Sequence, residues 1–457
     1  EKGGGSVRVY AFNNVVNSKR THDQVQGHAR EAMETGNVVF GVKGPSPLYN
    51  VKGFDLVEGF PPDCLHAVFL GVTRQLTGLW LDSANHEEDF YIGRQTKLID
   101  ERLNKVCPTS EITRIPQSVS QRCHWKGYEW RSWLLLYCLV ILKDILPVRY
   151  LQHLMLLVDA IFTLTKDNIS KVDLENAHIS LNKFVFMVKN LYGKKHMSFN
   201  IHQLLHLAPS VKNWGPLWSY STACFEGHMG FLLKLFNGTQ GVPNQISRTF
   251  QIWKGLQNWS SKIKKSNYDV PIDLQQFLEK LLHNQVHIKK AESVVDDDVN
   301  LIGVSQIRNL TLQERYAAEL LLEEPVSLPC RIYKKCIHKG VILHSVAYRE
   351  TKRVNFYVQL DCGESAVIRD FALVKTDSGQ QRVVVLIQFI IFQQRLIAGQ
   401  DAHSGAKAGH IKTIQALDDM IRAVAPRQVT GKYALISKLD DQAGRIIAAL
   451  PNLIERD

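Results

Sequence analysis

The sequence has no CxxC pair, although it holds eight cysteines. They stand singly, at Cys64, Cys107, Cys123, Cys138, Cys224, Cys330, Cys336 and Cys362, a spacing that suggests no disulfide scaffold and makes reduced thiols the simpler reading. There is no Gly-rich phosphate loop, no GxSxG elbow and no HExxH motif, which sets simple hydrolases aside. Zinc-finger spacing, heptad runs and basic-zipper patterns are missing as well. No apolar run reaches membrane length: the richest, at 133–142, is stopped by Lys143 and Asp144. The first residue is Glu1 rather than Met, with no signal-like segment behind it, so the expectation is a piece of a longer protein.

What remains is a soluble-type composition with a basic balance. Of 457 residues, 45% are hydrophobic and 22% charged, so the chain can bury a large core. The net charge of +11 and pI near 9.1 favour a polyanionic partner. The basic residues cluster at Lys194 and Lys195, at Lys262, Lys264 and Lys265, and at Lys289 and Lys290. Each cluster suits sequence-independent phosphate contacts, or simply a solvated helix end.

Residues 198–230, SFNIHQLLHLAPSVKNWGPLWSYSTACFEGHMG, concentrate the chemistry. His202 and His206 stand four apart, which on a helix puts both imidazoles on one face, within reach of one metal ion. The plainer alternative is two packing residues on a Leu-rich helix. A Gly/Pro-broken aromatic turn follows at Trp214, Gly215, Pro216 and Trp218, and then a single carboxylate, Glu226. Further upstream, DCLH sets Asp63 and His66 three apart at a helix start. Asp63 suits an N-cap, and the pair also suits acid/base or phosphate-contacting work.

The chain in order predicts a helix from Asp63 to about Leu81, buried through Leu65, Val68, Phe69, Val72, Leu76 and Leu79. An amphipathic helix is expected over 90–103. Three more follow over 129–145, 148–164 and 172–191, broken at Pro147 and around 168–170. Helix is expected again over 231–236 and 245–260, and Asp296–Asp298 reads as a linker. Beyond Pro329 the composition shifts to short strands, with the β-branched run VVVLIQFIIF at 383–392 a buried strand.

Taken together, the segment GFPPDCLHAVFLGVTRQLTGLW, the long helical block and HQLLHLAPSVKNWGPLWSYSTACFEGHMGFLLKLFNGT resemble the transposases of CACTA/EnSpm-type DNA transposons in their animal form. GVKGPSPL and the closing PNLIERD resemble the same group, so the likeness covers almost the whole chain. The resemblance implies an α/β fold, mostly α in this piece. It would be the C-terminal part of a ribonuclease H-like core, interrupted by an all-helical insertion, plus a small β-rich C-terminal domain. Expected units are 1–82 (end of the core, with DxxH), 83–195 (helical insertion), 196–295 (return helices), 296–328 (linker) and 329–457 (β-rich domain).

The resemblance also implies DDE chemistry, in which three acidic residues hold two Mg²⁺ ions for DNA cleavage and joining. Glu226 matches the third acidic position, and Asp63 and His66 match the family's [C/D]xxH signature beside the scissile phosphate. His202 and His206 match a histidine pair that binds structural zinc in the related V(D)J recombinase core, together with an upstream CxxC. The first two aspartates and the CxxC would lie before residue 1, so the chain as it stands is expected to be inactive. The implied partners are DNA and further copies of the chain in a synaptic assembly, with no membrane, in the nucleus. A domesticated, non-catalytic DNA- or protein-binding module is the alternative.

Overall fold

In a computed structural model of the chain, residues 8–10, 19–265, 271, 273–274, 277, 291–294, 298–348, 352–393, 408–437 and 444–453 are described. Helices fill the first part: α1 (His22–Thr35), α2 (Arg74–Leu81), α3 (Thr96–Leu103), α4 (Gly127–Ser132), α5 (Cys138–Ile141), α6 (Val148–Leu164), α7 (Lys171–Tyr192), α8 (Phe199–Trp214), α9 (Ala223–Leu232) and α10 (Val242–Lys265). A π-helical stretch, Leu65–Thr73, runs straight into α2, and a second, Trp133–Tyr137, joins α4 to α5.

The expected helix from Asp63 to Leu81 is therefore present, with its first half wound wider than an α-helix. All six apolar positions named for it are buried. The helix expected over 90–103 begins only at Thr96, after a 3₁₀ turn. Phe90 and Ile92 are buried ahead of it, so the apolar spacing there reflects packing of an irregular segment. α6 begins behind Pro147, whose missing N–H costs nothing at a helix start. α7 is capped by Ser170, whose hydroxyl accepts from the Asp173 N–H at 3.0 Å. α9 stops at Leu232, short of the expected helix over 231–236, and α10 runs past both ends of the expected 245–260.

The second part is built of antiparallel strands: β2 (Ala291–Val294), β3 (Val299–Ile302), β4 (Gln306–Arg308), β5 (Val326–Tyr333), β6 (Lys335–His338), β7 (Val341–His344), β8 (Tyr357–Leu360), β9 (Ser365–Thr376), β10 (Gln381–Phe392), β11 (Ile411–Leu417), β12 (Arg422–Val424), β13 (Val429–Ile436) and β14 (Ile446–Ala449). α11 (Leu312–Leu322) lies between β4 and β5. Residues 296–328, expected as a linker, thus hold β3, β4 and α11. Val294 pairs with Val299, so β2 and β3 form one antiparallel pair, while Asp296 and Asp297 of the expected linker lie outside the described residues.

Six strands close a barrel, in the order β8, β9, β10, β11, β14, β13 and back to β8. A separate four-stranded sheet runs β2-β3-β6-β7. The run VVVLIQFIIF lies in β10, as expected for a buried strand. It is apolar at successive positions because both faces are covered. Val383, Val385 and Ile387 pack in one cluster with Phe371 and Leu373 of β9. Val384 and Leu386 pack with Ala318 of α11.

The helical and β-rich parts share one core. A two-stranded pairing joins β1 (Val106–Cys107), inside the helical part, to β13. Leu134, Leu135 and Leu157 sit in the same apolar cluster as Ile436, Ile447 and Ala448 of the barrel. Beside that junction, Lys432 is fully buried and bonded through Nζ to Glu111, 2.7 Å from Oε2, and to the Asn355 Oδ1 and Ile342 carbonyl at 2.6 and 2.7 Å. A charge taken out of water needs such partners. No helix among the described residues is long and apolar enough to cross a membrane.

Candidate functional site

The start of the π-helical stretch and the start of α9 meet at one carboxylate. The Asp63 Oδ2 accepts from the His66 N–H at 2.9 Å, the N-cap bond that Asp63 was expected to make. The same carboxylate receives two bonds from Thr222: the backbone N–H reaches Oδ1 at 2.9 Å and the hydroxyl reaches Oδ2 at 2.8 Å. His66 Nδ1 stands 2.6 Å from Asp63 Oδ2, and its Nε2 faces Glu226 Oε1 at 3.3 Å. Asp63, His66 and Glu226 therefore form one chain of contacts, bringing together motifs 160 residues apart in the sequence.

Electrostatics differ along this chain. Partial burial works to raise the Asp63 pKa. The bonds from Thr222 and His66 outweigh it and hold the carboxyl below its ordinary value. Asp63 is thus an anion whose oxygens are engaged, which suits fixing His66 rather than binding a metal. Its side chain is 17% exposed, against 56% for His66 and 57% for Glu226. The imidazole and the glutamate are the parts a ligand could touch.

Thr222 is the residue that sequence reasoning missed. It sits at the N-terminus of α9, four residues before Glu226, whose N–H donates to its carbonyl at 3.0 Å. A threonine at a helix start was the available signal. The preceding loop is also anchored. The Asn213 side chain donates to Glu58 Oε2 and the Trp214 indole to the Glu58 carbonyl, both at 3.0 Å. Asp55, in the same loop, turns its Oδ1 onto the N–H groups of Val57 and Glu58 at 2.7 and 2.8 Å. Those bonds hold its pKa down and commit it to the turn.

His202 and His206 do share a face of α8, with Nε2 atoms 3.4 Å apart. The core face of α8 is taken by Ile201, Leu204, Leu207, Ala208 and Val211, so the histidines are not core packing. Two nitrogens bound to one tetrahedral zinc at about 2.05 Å would stand about 3.3 Å apart. Burial lowers the pKa of His202. Burial, His202 and Lys19 lower that of His206 against the pull of Glu58, so both favour the neutral, metal-ligating form. Tyr10 stacks on His202 with ring centres 5.7 Å apart.

The pair fits half a zinc site. Among the described residues no group of three or more His, Cys, Asp or Glu side chains is gathered as a metal site would need. For magnesium, Glu226 offers one exposed carboxylate, and Asp63 is already committed. The described residues therefore do not form either metal site alone.

Lys194 and Lys195 are exposed in a 3₁₀ turn ahead of α8, whose last carbonyl, that of His196, accepts from Gln75 at 2.8 Å. Lys262 is exposed near the end of α10, and Lys264 and Lys265 lie in its last turn. Lys289 and Lys290 lie outside the described residues. Comparison of the chain with protein-family models, with curated proteins and with solved structures gives no significant match.

Proposed function

We propose that this chain is part of a DDE-type DNA transposase, in which Glu226 is one of the metal-binding carboxylates and Asp63 and His66 flank the scissile phosphate. The observation that carries this reading is the Asp63–His66–Glu226 contact chain. The two motifs that resemble the transposase family meet at one exposed spot, although the helices α3 to α8 intervene. In this reading residues 19–82 and 196–265 belong to a ribonuclease H-like core and α3 to α7 are its helical insertion. Magnesium, when bound with carboxylates from outside the described residues, would supply the charge that activates the attacking oxygen.

The chain's own groups have separate tasks. Asp63 fixes the imidazole of His66. The imidazole's Nε2 can donate to Glu226 or to a phosphate oxygen. Glu226, exposed on α9, presents its carboxylate to the ligand. His202 and His206 would hold a structural zinc once further ligands join them. The basic residues Lys194, Lys195, Lys262, Lys264 and Lys265 would contact DNA phosphates without reading sequence.

A second reading, a non-catalytic DNA- or protein-binding module, is favoured by the exposure of α9. None of its residues is buried; Phe225 and Met229 are 68% and 58% exposed, and Leu233 just past its end is 64% exposed. Such a row suits a partner surface. Nicking of supercoiled plasmid by the product of the complete reading frame, with Mg²⁺ and with or without Glu226→Gln, separates the two. Nicking that the substitution abolishes supports the transposase. Equal nicking by both removes Glu226 from the mechanism, and DNA binding without nicking selects the module.

A further inference from the structure

The exposed side of the helix that begins at Asp63 does not end at His66. Leu70, Arg74 and Gly78 follow at intervals of four, and open cavities of about 470 and 280 Å³ lie along them. Arg74, Gly78 and Asp82 line both, so the two form one groove. One wall is the start of α8, through Asn200, and the other is the 3₁₀ segment Val119–His124, through Ser120 and Arg122.

The charges in the groove are unevenly committed. Asp82 is ion-paired with Arg122, which cancels both. Arg74 is exposed and makes no hydrogen bond or ion pair among the described residues. Glycine keeps its surroundings open. A Cβ on Gly71 would stand 2.6 Å from the Asn200 amide nitrogen, so only glycine lets that amide close in on the helix. Among the described residues the groove therefore holds the uncommitted Arg74 guanidinium beside neutral hydrogen-bonding groups such as Ser120 and Asn200, and one internally neutralised pair. A guanidinium with five donors and no carboxylate of its own suits a phosphate.

We infer that the groove along this helix is a subsite for the sugar-phosphate backbone of a nucleic acid, with Arg74 on a phosphate next to the Asp63–His66–Glu226 site. The proposal rests on the phosphodiester reading of that site and adds a path for the strand that leads into it. His66 and Arg74 are eight residues apart, at most about 12 Å along the helix axis. Leu70, Leu79 and Trp130 also line the groove, but the charge it offers a ligand is that of Arg74, so the contact proposed is with the backbone and independent of sequence.

The test is fluorescence anisotropy of a labelled duplex oligonucleotide against the full chain over a salt series. Arg74→Gln should weaken binding about threefold to tenfold, equally for unrelated sequences, and lower the slope of log K against log salt by about 0.9. Arg74→Lys, which keeps the charge, should hold the slope near that of the parent and so control for folding. An unchanged affinity and slope in Arg74→Gln overturns the proposal, as does an equal loss in Arg74→Lys. Binding of inorganic phosphate that Arg74→Gln abolishes, with oligonucleotide binding untouched, also overturns it. Lost slope in Arg74→Gln beside unaltered plasmid nicking in Glu226→Gln keeps the groove and removes the transposase reading. The reverse pair of results keeps the reading and removes the groove.

Discussion

Thr222 gives both of its donors to Asp63, the N–H to Oδ1 and the hydroxyl to Oδ2, across 159 residues of chain. This clasp ties the start of α9 to the helix that carries His66. Thr222→Val keeps the shape and removes the hydroxyl bond. Hydrogen bonds to charged groups contribute about 1.5–3 kcal/mol, so urea unfolding at pH 7 should show a loss of about 1–2 kcal/mol. The Asp63 pKa is depressed in the folded chain, so this stabilisation is present above the unfolded value and fades as pH falls through the folded one. The gap between parent and variant should therefore close below about pH 4. A gap that stays constant down to pH 3 would remove Asp63 from the clasp.

The junction of the two parts makes a second prediction. Lys432 and Glu111 are 0% and 5% exposed in their side chains and lie 321 residues apart in the chain. Lys432→Met leaves the Glu111 carboxylate buried with its cation gone, a loss of about 3–5 kcal/mol. Adding Glu111→Leu removes the orphaned charge and should restore most of the stability. A double variant as unstable as the single one would show that the pair's worth lies in packing and not in charge.

The histidine pair on α8 tests the metal reading directly. Calorimetric titration of the product of the complete reading frame with Zn²⁺ at pH 7.5 should show a site that His202→Ala or His206→Ala weakens tenfold or more. Burial lowers both pKa values, so protons should compete with the metal only below about pH 6.5. Zinc affinity equal in the parent and in both variants would leave the 3.4 Å approach as a contact between two imidazoles and nothing more.

The helical elements were legible because their signals are local. Pro147 and Ser170 mark helix starts, and the spacing of Leu65, Val68, Val72 and Leu76 marks a buried face. Leu65, Val68, Phe69 and Val72 stand at α-helical spacing in the sequence, so the wider π winding of Leu65–Thr73 left no trace in the pattern. Barrel closure was not legible at all. It depends on β8 meeting both β9 and β13, the latter about 70 residues away, and no local pattern specifies such a pairing. The same holds for the site: Asp63, His66 and Glu226 stood out singly, while the Thr222 clasp and the Arg74 groove exist only once distant helices pack.

Two buried histidines make the stability of the chain depend on acid. His153 donates Nε2–H to the Phe184 carbonyl at 2.9 Å and lies flat on the Phe184 ring, centres 4.0 Å apart. His410 repeats the arrangement with the Leu135 carbonyl at 2.8 Å and the Phe162 ring at 3.8 Å. In both, Nδ1 is buried without a partner among the described residues, so a second proton would be a buried cation with no acceptor. Burial accordingly pushes each pKa down to about 4. Above about pH 6.5 the folded and unfolded forms are both neutral and there is no penalty. Between about 6.5 and 4 the unfolded chain takes up the proton and the folded chain does not, so stability falls as pH is lowered, by about 3 kcal/mol for each histidine. His153→Gln and His410→Gln can keep the donor and cannot titrate. Each should be less stable than the parent at pH 7, for want of the stacked ring, and should lose less between pH 6.5 and 4. Urea midpoints measured across that range would show the curves converging. Parallel curves would mean that these imidazoles are not the groups through which acid unfolds the chain.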